Sequence, residues 1–248
     1  TSMEFLKIHR SKSQVRADGT AYAVPLFVTK TQRKGATISE EAISIKRPIL
    51  VTGAHDSGKS KWVDRLYENA GEIWGTKSKN APLYLHTLRP LVAWSDEPDV
   101  EKWWEAKRQE EEKTDWHNAR APWKALKQYQ RAEALPDYCK DTKAVLFIDD
   151  AHKLAGRKLQ IARQCVLASR VFVIAASEEQ RLPPNLRAAV LHRDPQIFRL
   201  NSEVAYDATN LLMWAFLVAC LAAGWWEAAA VLGGLKALGT GRRAARAD

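Results

Sequence analysis

Five short apolar runs, near 48–52, 82–87, 143–149, 171–176 and 197–200, are set off along the chain by polar and turn residues. Runs of this length predict strands buried on both faces, as in a parallel sheet. After the first of them the apolar positions change to helical spacing, with Val63, Leu66 and Tyr67 on one face. Strands that alternate with helices predict an α/β domain, here over 48–202. Between the second and third strands, residues 88–140 read as a charged helical insertion carrying Trp103, Trp104, Trp116 and Trp123. These rings are expected to pack the insertion onto the sheet; a partner-binding face is the alternative. Ahead of the first run, 21–29 reads as one or two short strands following a turn at Gly19.

The last apolar stretch differs in kind. Residues 211–235 contain a single charge, Glu227. As one helix they would reach roughly 37 Å, enough to cross a bilayer core of about 30 Å. Lys236, Arg242, Arg243 and Arg246 follow the run while Glu203 and Asp207 precede it, which favours a cytoplasmic C-terminus. A re-entrant or interfacial hairpin bent near Gly224 fits that charge placement. The soluble alternative buries 208–223 as a helix. Composition accommodates one core domain with appendages, since 46% of the 248 residues are hydrophobic. The division is a basic extension over 1–47, the α/β domain, and a hydrophobic C-terminal segment over 203–248.

The candidate chemistry starts where the first strand ends. Residues 53–60 read Gly-Ala-His-Asp-Ser-Gly-Lys-Ser, a complete G-x-x-x-x-G-K-[S/T] loop. Successive backbone N–H groups can converge on phosphate oxygens only if the chain turns sharply, and Gly53 and Gly58 permit that turn. Gly53, Ala54, His55, Asp56, Ser57, Gly58, Lys59, Ser60 and Lys61 are therefore the candidate phosphate-binding residues. Lys59 would place an ammonium against the β and γ phosphates, Ser60 would ligate Mg²⁺, and the following helix would point its positive end at the nucleotide.

The third strand ends in Asp149-Asp150. Ligands of open parallel sheets bind at the carboxyl ends of strands, so Asp149 is expected to join Ser60 on Mg²⁺ and Asp150 to polarise the attacking water. The bland alternative is that the pair opens a turn or caps a helix.

With both motifs in place the chain resembles a P-loop NTPase of the additional-strand class, and more narrowly the AAA+ and related regulatory ATPases. The resemblance spans 45–202. It implies a three-layer α/β fold with a mainly parallel five-stranded sheet, a helical insertion and hydrophobic C-terminal helices. The family usually has Glu where this sequence has Asp150; a carboxylate set one methylene further back implies slow hydrolysis or a binding switch. Ser177, after the 171–176 strand, resembles the sensor residue that helps orient water near the γ-phosphate. Arg187 and Arg193 resemble the segment where an arginine finger often serves a neighbouring subunit, which implies a homo-oligomer. Solvated surface arginines are the plain alternative for both.

Cys139, Cys165 and Cys220 form no C-x-x-C motif, which points to a reducing compartment without structural disulfides. No secretory signal pattern is visible at the N-terminus. From Met3 to Arg47, nine basic residues face four acidic ones, so this segment holds over half of the chain's net charge of +9. Such a segment suits anionic lipid or nucleic acid. The expected function is an ATP-binding, ATP-hydrolysing regulatory or assembly ATPase at the cytoplasmic face of a membrane. The alternative is a soluble, cytoplasmic ATP switch that binds DNA, similar to small AAA+ regulators of transposition. A small-molecule kinase fits the Asp149-Asp150-Ala-His152 strand end less well, and a helicase would need a longer chain.

Overall fold

The structure is a computed structural model that describes residues 2–15, 19, 21–31, 35–75, 82–114, 117 and 119–200. The apolar runs form the strands expected of them: β4 (Ile49–Gly53), β5 (Pro82–His86), β6 (Val145–Asp149), β7 (Val171–Ala176) and β8 (Gln196–Leu200). Their order is β5-β6-β7-β4-β8, and every neighbouring pair is parallel. Each central strand is buried on both sides because both faces are covered. Ile49, Val51, Val145, Phe147, Val173 and Ala175 pack with α1 (Lys59–Glu68) and α2 (Ala70–Trp74). Leu50, Leu146, Ile148, Phe172 and Ile174 pack with α3 (Pro98–Thr114), α5 (Leu135–Thr142), α6 (Gly156–Ala168) and α7 (Pro184–His192). The fold is a three-layer α/β arrangement with a wholly parallel five-stranded sheet, consistent with the expected P-loop NTPase fold.

The N-terminal segment exceeds the one or two short strands expected at 21–29. It forms a three-stranded antiparallel sheet, β1 (Ser2–Val15), β2 (Ala21–Thr31) and β3 (Thr37–Ala42), with β2 in the middle. This sheet is docked onto α1 and β8 by an aromatic trio. Phe27 of β2 lies 5.8 Å from Trp62 of α1 and 5.3 Å from Phe198 of β8, with Trp62 and Phe198 5.6 Å apart. Polar ties run alongside: Arg65 Nη1 donates to Leu6 O at 2.9 Å, Arg10 Nε to Glu72 Oε2 at 2.6 Å, and Trp74 Nε1 to Ile45 O at 3.0 Å. Burying Trp62 and Phe198 under the half-buried Phe27 contributes several kcal/mol, about 1.5–3 per fully buried large apolar side chain.

The insertion is helical, and most of its tryptophans pack inward. It comprises a 3₁₀ turn at Leu91–Trp94, α3, a second 3₁₀ turn at Trp123–Ala125, α4 (Gln128–Glu133) and α5. Trp94 is buried and donates its Nε1–H to His86 O at 2.8 Å. Trp103 meets Tyr138 edge-on at 5.5 Å, and Trp104 packs against buried Trp123 at 5.7 Å. Arg120 lies 4.4 Å over Trp104 while its guanidinium grips Glu111 at 2.6–3.0 Å. Trp116 lies outside the described residues. Cys139 of α5 and Cys165 of α6 are buried free thiols that share a hydrogen bond, and burial pushes the Cys165 thiol well up.

Residues 201–248 also lie outside the described residues, and with them the apolar run 211–235, Cys220 and the expected C-terminal helices. Among the described residues no helix is long and apolar enough to cross a membrane.

Candidate functional site

Strand β4 delivers the chain to the carboxyl edge of the sheet, and α1 carries it back. Gly53 is needed there for space: a Cβ on it would come within 2.6 Å of both Leu200 O and Ser57 Oγ. Its N–H donates to Ser177 O at 3.1 Å, tying the loop to the end of β7. Asp56 (φ 61°) and Gly58 (φ 86°) are both left-handed, and the second is the N-cap of α1. No side chain caps that helix. Its first-turn amides are therefore left for a ligand at the positive end of the helix dipole.

Lys59 is 8% exposed and folds back on its own loop, donating from Nζ to Ala54 O at 2.6 Å and to Ser57 Oγ at 3.4 Å. Burial lowers its pKa, opposed by the charges of Asp150, Asp149 and Asp56. The loop lysine and the paired aspartates are thus electrostatic neighbours. Asp149, at the tip of β6, accepts the Asp150 N–H on Oδ1 at 2.8 Å, and its own carbonyl accepts the Thr87 hydroxyl at 2.5 Å. Asp150 is left-handed (φ 52°, ψ 37°) and pairs through Oδ2 with Lys153 Nζ at 2.5 Å.

A cleft of about 630 Å³ opens between these segments. It is lined by Ala54, His55, Asp56, Gly58, Lys59, Ser60 and Lys61 of the loop and by Asp150, His152, Lys153, Ser177, Glu178 and Arg181. Residues singled out from three separate stretches of sequence therefore border one space. The Ser177 Oγ is buried and finds no hydrogen-bond partner, while the Ser177 N–H reaches His152 Nδ1 at 3.4 Å. Burial lowers the His152 pKa, opposed by Asp150. A buried hydroxyl without a partner costs about 1–3 kcal/mol, which a ligand oxygen would relieve. The glycine that tolerates no Cβ, the uncapped helix and the orphan hydroxyl all fit a phosphate chain. Among the described residues no group of three or more His, Cys, Asp or Glu side chains could hold a metal. Of the two expected Mg²⁺ ligands, Ser60 borders the cleft, while Asp149 is not among its lining residues.

The two candidate arginines part company. Arg187, on α7, borders a second hollow of about 650 Å³ together with Thr52, Gly53, Arg199 and Leu200; it shares Ala54, Ser177 and Glu178 with the first. Its Nη2 lies 3.6 Å from Glu179 Oε1, and its Nε is buried without a hydrogen-bond partner. Arg193 is not brought to this end of the sheet. Its guanidinium donates to Val166 O at 3.1 Å, Ser169 O at 3.2 Å and Arg170 O at 2.8 Å, closing the C-terminal end of α6. Such a contact completes orphan helix carbonyls and complements the negative end of the dipole. The sequence reading assigned no role to Lys153, Glu178 and Arg181. Their only signal was closeness in sequence to Asp150 and Ser177, and the turns that fold them back were not legible.

No protein family matches the chain, and no curated protein does. Among solved structures, the chain is similar to EccC of Thermomonospora curvata (ATPases 2 and 3, in complex with a signal sequence peptide), at 12% identity and a TM-score of 0.38 over 73% of this chain and 38% of that one. A second structure, the cytoplasmic domain of the type VII secretion ATPase EccC from the same organism, gives 14% and 0.40 over 79% and 26%. A metal-chelate-type ABC transporter in an inward-facing conformation gives 12% and 0.37 over 80% of each chain. The chain thus spans well under half the length of either EccC chain. Likeness at this level says nothing about activity, and the functional reading rests on the cleft.

Proposed function

We propose that this chain binds ATP with Mg²⁺ in the cleft between the 53–60 loop and the Asp149-Asp150 strand end, and hydrolyses it slowly as a regulatory or assembly ATPase of AAA+ type. The observation that carries the reading is that Lys59, Ser60, Asp150 and Ser177 line the same cleft. Further support comes from the strand order, in which β7 separates the loop's strand from the aspartate strand. In this reading the loop amides and Lys59 hold the phosphates, with Gly53 and Gly58 allowing the approach. Ser60 and Asp149 hold Mg²⁺, which when bound would neutralise phosphate charge. Asp150 orients water, and Ser177 supplies a hydrogen bond near the terminal phosphate. Arg187 approaches the loop of its own chain, so its action need not await a neighbour, whereas Arg193 serves the fold.

Membrane association through 211–235 and assembly into a homo-oligomer belong to the same proposal. The alternative of a DNA-binding switch draws on the basic N-terminal segment. There Lys7, Arg10 and Arg47 are paired with Glu40, Glu72 and Asp194, which weakens the case for a free cationic face.

The direct test is a calorimetric titration of the full chain with Mg·ATP, beside measurement of phosphate release. Saturable binding and slow release are expected, and absence of any nucleotide affinity would sink the reading. Fractionation of the full chain, with and without 203–248, tests the anchor separately: a full-length protein that never enters washed membranes rejects it.

A further inference from the structure

Two lysines that border the proposed site have their ammonium groups on oxygens of the chain itself. Lys59 sits on Ala54 O, and Lys153 sits on Asp150 Oδ2. The second pairing is built into the backbone. Asp150 is left-handed, the 3₁₀ turn Ala151–Lys153 follows, and Lys153 N–H donates to Asp150 O at 2.8 Å. Side chains three apart on such a turn eclipse one another, so Lys153 folds over the carboxylate that starts it. Even so, the Lys153 side chain is 45% exposed against 24% for Asp150, and both line the cleft with Lys59, Ser60 and Ser177. The other cation on this side, Arg181, is 3.5 Å from Glu178.

We propose that Lys153 senses the terminal phosphate in cis: it holds Asp150 when that phosphate is missing and passes to it when a triphosphate is bound, freeing Asp150 to meet water. The inference rests on the nucleotide reading of the cleft. An ammonium held by one carboxylate moves readily to a phosphate of higher charge at similar distance, because charge-assisted hydrogen bonds follow charge. Lys153 would therefore keep its hold on Asp150 with a diphosphate and release it with a triphosphate. Hydrolysis is gated by the same contact that distinguishes the two nucleotides.

The experiment is an equilibrium fluorescence titration of the full chain with Mg²⁺ and either mant-ADP or a non-hydrolysable mant-ATP analogue. Lys153→Ala is expected to weaken the triphosphate analogue about tenfold while leaving mant-ADP within about twofold, and Lys153→Arg to keep the wild-type ratio. Lys153→Met retains the aliphatic stem and covers the case in which alanine loosens the turn, with thermal unfolding as the check on folding. The double variant Asp150→Asn/Lys153→Ala should stay weak for the triphosphate, because a cation has been lost. Recovery in the double variant would mean that only an uncovered carboxylate repelled the phosphate, and overturns the proposal. So does an equal loss for both nucleotides, or none. A wild-type chain that binds neither nucleotide rejects the site reading as well. One that binds both while Lys153→Ala leaves their ratio untouched rejects the Lys153 role alone.

Discussion

The amino and carboxyl ends of the parallel sheet are built from similar parts and differ in how completely their polar groups are satisfied. Both ends contain non-glycine residues in the left-handed region: Lys143 and Asp194 ahead of β6 and β8, Asp56 and Asp150 after β4 and β6. Backbone strain therefore does not tell the ends apart. Arginine does. At the amino end Arg193 is taken up by three carbonyls, and nearby Gln196 N–H donates to Pro48 O at 2.7 Å. At the carboxyl end Ser177 Oγ and Arg187 Nε are buried with nothing to bond. Native interiors pair almost all such groups, so clustered exceptions mark where something else is meant to bind.

Exchanging function for stability at the two ends is the sharpest way to break this contrast. Lys59→Ala should lower Mg·ATP affinity by about a hundredfold or more, since several charge-assisted contacts go at once, with little change in unfolding temperature; calorimetry and a thermal melt read the two halves. Arg193→Ala should do the reverse, costing about 2 kcal/mol in denaturant unfolding while nucleotide affinity stays within about twofold. If Arg193→Ala instead lost turnover at full stability, the contrast between the ends would be wrong. Gly53→Ala sits between these cases. Its new methyl meets backbone of β8, so both affinity and stability should fall, the latter by about 1–3 kcal/mol. Ser177→Ala is the mildest, because it deletes a hydroxyl with no partner. Unfolding free energy should hold or rise by up to about 1 kcal/mol, while phosphate release slows severalfold.

Much of this architecture could be read in advance, and the reason is physical. Strands buried on both faces must be apolar throughout, so β4, β6 and β7 announced themselves as runs such as Val171–Ala176. The loop was legible because the proposed phosphate binding constrains residue types at fixed spacing. β1 was not, since its Glu4, Lys7, His9 and Arg10 interrupt any apolar pattern and, of the two residues Leu6 and Ile8, only Leu6 is fully buried. The carbonyl contacts of Arg193 were not legible because its partners, Val166, Ser169 and Arg170, are distant in sequence and contribute only carbonyls, which carry no side-chain signature. Lys153 was missed because its position depends on the left-handed turn at Asp150, a conformation that aspartate tolerates without advertising it.

The trio of Phe27, Trp62 and Phe198 has a practical meaning for anyone dissecting the molecule. A natural place to cut lies just before β4, where the recognisable motif begins. That cut would strip the cover from an indole and a benzyl ring on the half that carries the 53–60 loop and leave a sticky fragment prone to precipitate. The leading forty-odd residues should travel with the rest in every truncation, as part of one folding unit.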